Sequence, residues 1–368
     1  MRVWRGAGIS GLPGTGTLES DNRWLTSLKL ELAYFSGRAW WSEIENGGAG
    51  AILRFKRVRP PSRASFQPLK ADEITPRFLD RTIRALKRWH YDIVGIDEVC
   101  RRAVIMPERK RFVGLSFDGA SKDLITYAYP VLARHRVPFI VYVPSAFPDG
   151  VGEAWWLALE AIVAKESRLS LMIERNERHF STRTVEEKYE VFAFLDGWMR
   201  LLPPPELSAA VNDLCSRYAV DLRQLSREAS MDWADLAKLA ADPNVTFGSA
   251  TVNYPVLSNL KDAVARREMN MGRAVVEAAL SHEVRHFAYP FGDRSSWRRA
   301  HVVMTEEVGF ASAVSTISGI IEAEGRTNLH ALPRIAWDGR RRSLRAMRAL
   351  LSGVAFAPVQ PTRAKLAV

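Results

Sequence analysis

Residues 112–143 read FVGLSFDGASKDLITYAYPVLARHRVPFIVYV. Phe112 to Phe117 has the composition of a β-strand and runs into Asp118-Gly119, a pair that favours tight turns. Lys122 to His135 then reads as a helix, and Val137 to Val143 as an almost wholly apolar strand. Strand, crossover helix and a second strand apolar on both faces is the pattern of a parallel sheet covered by helices.

The same alternation extends in both directions. Upstream, Ala51–Phe55 reads as a short strand and Pro60–Ala71 as a loop. Thr75 can cap a helix with Pro76 in its first turn and Leu79, Ile83 and Leu86 on one face. Ile93–Ile96 reads as a further short strand, Leu25–Trp41 as an amphipathic helix and residues 1–24 as a flexible extension. Downstream, residues 154–236 read as largely helical, broken by Pro203, Pro204 and Pro205, and form a helical insertion or lid-like layer. Val245–Ser249, Arg285–Tyr289, Phe310–Thr316 and Leu332–Trp337 read as strands, separated by helices over Asn259–Leu280 and Ser296–Val308. Repeated βα units over about 250 residues predict an α/β fold, a distorted (β/α) barrel with a helical insertion. The expected division is one barrel domain over residues 25–355 and a tail over 356–368.

Composition bounds the function classes. Hydrophobic residues make up 47% of the 368, enough for a sizeable core, and the eleven Trp and sixteen Phe suit either that core or stacking on sugar rings. A net charge of +11 favours anionic partners, but no nucleic-acid-binding signature accompanies it, so nucleic acid is not expected. Its densest stretch, Arg340 to Arg348, reads as the solvated face of a terminal helix. Two cysteines, Cys100 and Cys215, make no disulfide framework. With no apolar run of signal-peptide or membrane-spanning length, a cytoplasmic location is expected.

In α/β barrels the functional side chains sit at the carboxyl ends of the strands. Three stretches therefore carry the chemistry: Ser116-Phe117-Asp118-Gly119, Gly248-Ser249-Ala250-Thr251-Val252-Asn253-Tyr254-Pro255, and His286-Phe287-Ala288-Tyr289-Pro290-Phe291-Gly292-Asp293.

These stretches resemble the polysaccharide deacetylase family, the NodB-homology domain. The first is similar to its Thr-Phe-Asp-Asp-Gly motif, the second to Gly-x-His-Thr-x-x-His-Pro, the third to its aromatic-Pro-aromatic-Gly loop. Trp155-Trp156-Leu157-Ala158-Leu159-Glu160 and Leu332-Pro333-Arg334 resemble the rhizobial-type chitooligosaccharide branch. The resemblance runs in order from about Gly50 to Gly353. It implies a barrel that binds N-acetylated oligo- or polysaccharide and hydrolyses acetyl groups through a divalent metal, usually zinc. One Asp and two His would hold the metal, and a neighbouring Asp would act as general base on the bound water.

Aligned on those motifs, the base position is Asp118, a vestigial general base. The metal positions fall on Gly119, Ala250 and Tyr254. Gly and Ala offer no donor, and a phenol with an ordinary pKa near 10 is a poor one. Zinc lowers the pKa of bound water from about 15.7 to about 7, so its loss forfeits on the order of 10 kcal/mol of nucleophile activation. No metal cofactor is expected, and the leading expectation is a family member without the family's catalysis. Further departures are Ala288, where the third motif often has Arg, and Lys56, where the rhizobial branch has His. His330 is the candidate for the family's late acidic-motif His.

Tyr254, Tyr289, Pro290, Phe291, Asp293 and His330 are the candidate substrate-groove residues. Each has a plainer reading. Asp118 can accept backbone hydrogen bonds at its turn, Tyr254-Pro255 and Tyr289 to Gly292 can be packed loops, and Asp293 can be a capping carboxylate. His282, His286 and His301 do not complete a metal site by spacing. Two alternatives stay open: a non-catalytic carbohydrate-binding or regulatory scaffold with a protein partner, and an active deacetylase with substitute ligands such as Asp118, Asp293 and His286.

Overall fold

The computed structural model describes residues 48–105, 110–174, 176–337, 339, 343–353 and 355–356. The helix expected over Leu25–Trp41, the extension before it, Arg340 to Arg342 and the tail beyond residue 356 lie outside the described residues. Twelve strands are described: β1 (Gly50–Phe55), β2 (Arg57–Val58), β3 (Glu73–Ile74), β4 (Asp92–Val94), β5 (Phe112–Asp118), β6 (Phe139–Val143), β7 (Arg168–Ile173), β8 (Asn176–Ser181), β9 (Val245–Ser249), β10 (His286–Ala288), β11 (Ser312–Val314) and β12 (Ile335–Ala336). The helices are α1 (Pro76–Arg88), α2 (Ile96–Val104), α3 (Tyr129–His135), α4 (Trp155–Lys165), α5 (Val185–Met199), α6 (Pro204–Arg217), α7 (Leu222–Ala229), α8 (Trp233–Ala240), α9 (Asp262–Leu280), α10 (Arg299–Glu307) and α11 (Leu344–Leu351).

The expected α/β barrel is present as a curled parallel sheet in the order β11-β10-β9-β6-β5-β1-β12. The long β5 shares one edge between two neighbours, with Asp92 of β4 opposite Phe112 and Ile140 of β6 opposite Ser116. The two ends of the sheet meet through one short segment. Leu332 bridges Val314, and Ile335 lies opposite Leu53. Pro333 cannot donate to a ladder, which explains why the strand expected over Leu332–Trp337 shrinks to two residues.

Alternation along each strand sorts the side chains into two layers. Leu53, Phe55, Leu115, Phe117, Val141, Val143, Phe247 and Phe287 face the helices and form the main core. Ile52, Ile140, Tyr142, Ala250, Ala288 and Val314 face the barrel interior. The same parity turns Arg54, Ser116 and Asp118 inward.

α1 forms as the sequence reading expects. Thr75 caps it by accepting from the Phe78 amide at 3.2 Å, and Leu79, Ile83 and Leu86 are fully buried. The crossover helix differs. A π-helical turn over Leu124–Ala128 precedes α3, with the Tyr129 amide donating to Leu124 O. Pro130 has no N–H to continue the ladder, and the wide turn absorbs that gap.

The insertion is not wholly helical. β7 and β8 form an antiparallel hairpin between α4 and α5. The signal was a period of two in Arg168–Ile173, whose Leu169, Leu171 and Ile173 are buried at 2%, 1% and 7% exposure. The insertion has its own apolar core, which shares Trp156 and Phe291 with the barrel interior. It therefore sits against the carboxyl ends of the strands. The described part of the arginine run, Arg345 and Arg348, belongs to α11, and Arg348 lies 5.6 Å from the Trp89 ring centroid.

Candidate functional site

Asp118 closes β5 and points into the barrel with 4% of its side chain exposed. Arg334 meets it with a two-pronged pair, Nη1 to Oδ1 at 2.7 Å and Nη2 to Oδ2 at 2.9 Å. Arg54 adds Nε to Oδ2 at 2.6 Å. Arg334 is fully buried and is itself held by Ser315 O and Ser116 Oγ. Its guanidinium also lies over the Tyr142 ring. Burial alone would push the Asp118 carboxyl up, but Arg334 and then Arg54 hold it at about 2. The ionic chain continues outward. Arg54 Nη1 lies 3.8 Å from Asp72 Oδ1, and Lys56 donates to Asp72 at 3.1 Å. Asp118 is thus a clamped structural anion, a reading beyond both the base and the turn-acceptor readings of the sequence.

The three metal positions offer no donor set for zinc. Gly119 has φ +91, and a side-chain carbon built there would meet nothing within 4 Å. Ala250 is fully buried and presents a methyl group. Tyr254 is packed, its ring 5.2 Å from Phe291 and 6.0 Å from Trp156. Among the described residues no group of three or more His, Cys, Asp or Glu is placed to hold a metal ion. The residues present do not fit the metal that the resemblance implies.

The loop that carries Ala250 and Tyr254 is nevertheless sharply defined. Thr251 and Tyr254 take left-handed backbone conformations, φ 68 and 57. Glu268 of α9 accepts from the amides of Val252 and Asn253 at 3.0 Å each. Gly272 lets α9 approach, since a side-chain carbon there would fall 2.4 Å from the Thr251 carbonyl carbon.

The other candidates divide into two places. Phe291 and Asp293 join Tyr254 at the barrel mouth, with the buried Pro290 beside them. Arg200, just past α5, forms an ion pair with Asp293 and lies 4.7 Å from the Phe291 ring. Asp293 also accepts from the amides of Ser295 and Ser296 in the turn ahead of α10, whose N-cap is Arg298, and despite burial the Ser295 hydroxyl and Arg200 keep its carboxyl at about 2. Tyr289 points the other way, into the helical layer. It stacks on Trp297 at 4.6 Å and donates to His330 O at 2.8 Å. His330 faces Thr305 of α10, and burial lowers its pKa. Parity explains the split: Ala288 faces in, so Tyr289 faces out.

His286 opens β10 and so lies at the opposite end of the barrel from Asp118. Its Nδ1 is 2.9 Å from Ser312 Oγ and its Nε2 is 3.3 Å from Asp97 Oδ1. The order is that of a Ser-His-Asp relay, but Ser312 is fully buried and Asp97 59% exposed, the reverse of what a nucleophile needs. The substitute-ligand set of Asp118, Asp293 and His286 is therefore not brought together.

Sequence reasoning did not single out Asp196 of α5, which is half-buried and whose carboxylate has no hydrogen-bond or ion-pair partner among the described residues. Burial raises its carboxyl pKa against the opposing pull of Arg200 and Lys56, while Asp72 and Asp293 add to the rise. In sequence it lay inside a stretch read only as largely helical.

Comparison with known proteins gives the following. Residues 184–310 match the model of the polysaccharide deacetylase family, less than half of the chain; the second and third motif stretches lie inside the match and Asp118 outside it. No curated protein matches the chain. Among solved structures, a Streptococcus pyogenes deacetylase, PplD, in complex with acetate superposes with TM-score 0.53 at 16% identity, covering 83% of this chain and 97% of that one. IcaB from Ammonifex degensii gives 0.52 at 15%, covering 82% and 98%. A polysaccharide deacetylase from Bacillus cereus gives 0.52 at 11%, covering 82% and 68%. At such identities the likeness establishes the deacetylase-type barrel as a fold and leaves chemistry to the site.

Proposed function

We propose that this chain is a polysaccharide deacetylase family member that binds carbohydrate at the barrel mouth without the family's metal-dependent hydrolysis. The match over residues 184–310 and the shared fold support the family. The single observation that carries the loss of hydrolysis is the environment of Asp118. Both its oxygens are occupied by Arg334 and Arg54, and the metal positions beside it hold Gly119, Ala250 and Tyr254. The aromatic floor of Trp156, Tyr254 and Phe291 supports a sugar ligand, since ring faces stack on pyranose C–H groups. An N-acetylated oligosaccharide of the chitooligosaccharide class is the proposed ligand, following the rhizobial-type resemblance of Trp155–Glu160. Cys100 and Cys215 are both unpaired thiols, which supports a reducing, cytoplasmic setting.

The test is zinc content and affinity of the purified chain, beside a Gly119→Asp, Ala250→His, Tyr254→His variant. The wild type is expected to hold no stoichiometric zinc and to show no chelator-sensitive deacetylation. About one tightly held zinc per wild-type chain would overturn the reading.

A further inference from the structure

The outer face of α1 concentrates positive charge. The helix buries Phe78, Leu79, Ile83 and Leu86 against the core, and its opposite side carries Arg77, Arg81, Arg84 and Arg88, all exposed. At 3.6 residues per turn, that 4-3-4 spacing puts the four side chains within about 60° around the axis and about 16 Å along it. α3 lies alongside, where Lys87 donates to His135 O at 3.0 Å. The residues on either side of His135, Arg134 and Arg136, are exposed and extend the face. Asp80 is the one carboxylate of α1, and α3 contains none. It is already engaged by His135 at 2.8 Å and Arg84 at 3.0 Å, with Arg134 at 3.9 Å. Arg77, Arg81, Arg88 and Arg136 have no hydrogen-bond or ion-pair partner among the described residues.

We propose that the face formed by α1 and α3 is a docking surface for an anionic phospholipid bilayer. Crowded cations without counter-charges repel one another, and an anionic surface relieves that repulsion. A guanidinium grips a phosphate with two parallel hydrogen bonds, and four to eight such cations on one amphipathic helix face suit a lipid surface. The end of the face has the amphipathic character of a headgroup contact. Trp89, just past α1, is half-buried, and the Arg348 guanidinium lies 5.6 Å from its ring centroid. A single-stranded nucleic acid fits less well, because it needs exposed rings on which bases stack. The exposed large aromatic side chains among the described residues, Tyr189 and Phe194, are on α5 in the insertion instead. The cytoplasmic leaflet is the anionic one, which agrees with the cytoplasmic setting proposed above.

The test is co-sedimentation of the full chain with vesicles of pure phosphatidylcholine and of equal parts phosphatidylcholine and phosphatidylglycerol. Three proteins are compared: wild type, the face variant Arg77→Gln, Arg81→Gln, Arg84→Gln, Arg88→Gln, and a control variant. The control, Arg178→Gln, Arg183→Gln, Arg223→Gln, Lys261→Gln, removes the same charge from exposed positions elsewhere. Thermal midpoints confirm that each is folded; Asp80 keeps His135 and Arg134 in the face variant. Wild type is expected on the mixed vesicles and not on phosphatidylcholine, with partition falling as salt rises. The face variant should partition more weakly on the order of a hundredfold, and the control should stay close to wild type. No wild-type partition onto the mixed vesicles overturns the proposal. So does an equal loss in the control, which would make net charge rather than this face responsible. Binding to a DNA duplex that the face variant loses, without any vesicle binding, would reassign the face to nucleic acid and equally overturn it.

Discussion

Replacing Asp118 by Asn should unfold the protein more readily rather than merely silence it. Asp118 receives three charge-assisted hydrogen bonds, at 2.6, 2.7 and 2.9 Å, from two guanidiniums. Arg334 is 0% exposed and cannot turn to water, and Arg54 is 11% exposed. Removing one partner of a buried ion pair costs about 3–5 kcal/mol, because the remaining charge is stranded. Here Arg334 is stranded while Arg54 keeps Asp72 at 3.8 Å, and the Asn amide would aim N–H donors at N–H donors. The ionisation alone accounts for less. A carboxyl held at about 2 against an ordinary 3.8 is worth about 2 kcal/mol. The remainder is the cost of unsatisfied guanidinium donors, which no change of pH can remove from an Arg.

The sign of the pH dependence follows. A depressed carboxyl pKa contributes stability that is complete above the unfolded value and is lost as pH falls toward the folded one. Wild-type stability should therefore drop between about pH 4 and pH 2, and the Asp118→Asn chain should lack that part of the drop. Denaturant unfolding at pH 7 and across the acid range reads both effects. An Asp118→Leu, Arg334→Met double variant should recover much of the loss, because well-packed apolar groups can replace a buried ion pair at little cost. A loss below about 1 kcal/mol for Asp118→Asn, with activity or ligand binding nonetheless abolished, would refute the structural assignment and return Asp118 to a catalytic role.

Three further substitutions test the frame around the site. Gly272→Ala puts a methyl carbon 2.4 Å from the Thr251 backbone, so α9 must withdraw, and thermal unfolding should register about 1–3 kcal/mol of destabilisation. Gly119→Asp meets open space but a backbone at φ +91; the expected cost is about 1–2 kcal/mol of strain with no packing defect, and a loss well beyond that would show that the space is not open. Arg334→Lys keeps the charge and loses the two-pronged grip, so stability should fall toward that of Asp118→Asn, whereas an unchanged midpoint would mean that only the charge matters.

The fold was legible because its signals are local. Alternation in Ile52 to Phe55, the apolar run Phe139–Val143 and the Thr75-Pro76 start of α1 each announce an element within a few residues, and βα repetition supplies the topology. Where a local signal was read at the wrong period, an element was lost: the hairpin β7–β8 carries a clear two-residue alternation inside a stretch read as helix. The site was half legible for a different reason. That Gly119, Ala250 and Tyr254 cannot ligate zinc is a property of single residue types. That Asp118 is clamped is a property of pairs, 64 and 216 residues apart in the chain. Leu332-Pro333-Arg334 could be recognised as a motif, but no pattern in sequence says that its Arg reaches across the barrel.

That clamp also sets how basic Asp118 can be. A general base must take a proton near neutral pH. Arg334 and Arg54 hold the Asp118 carboxyl at about 2, below an ordinary carboxylate, and so make it a weaker base. The same clamp that makes Asp118 a poor base makes it a good joint, since Arg334 lies in the segment that connects β11 to β1 and so completes the curl of the sheet. A barrel whose closing segment is fastened to Asp118 gains stability from that carboxylate.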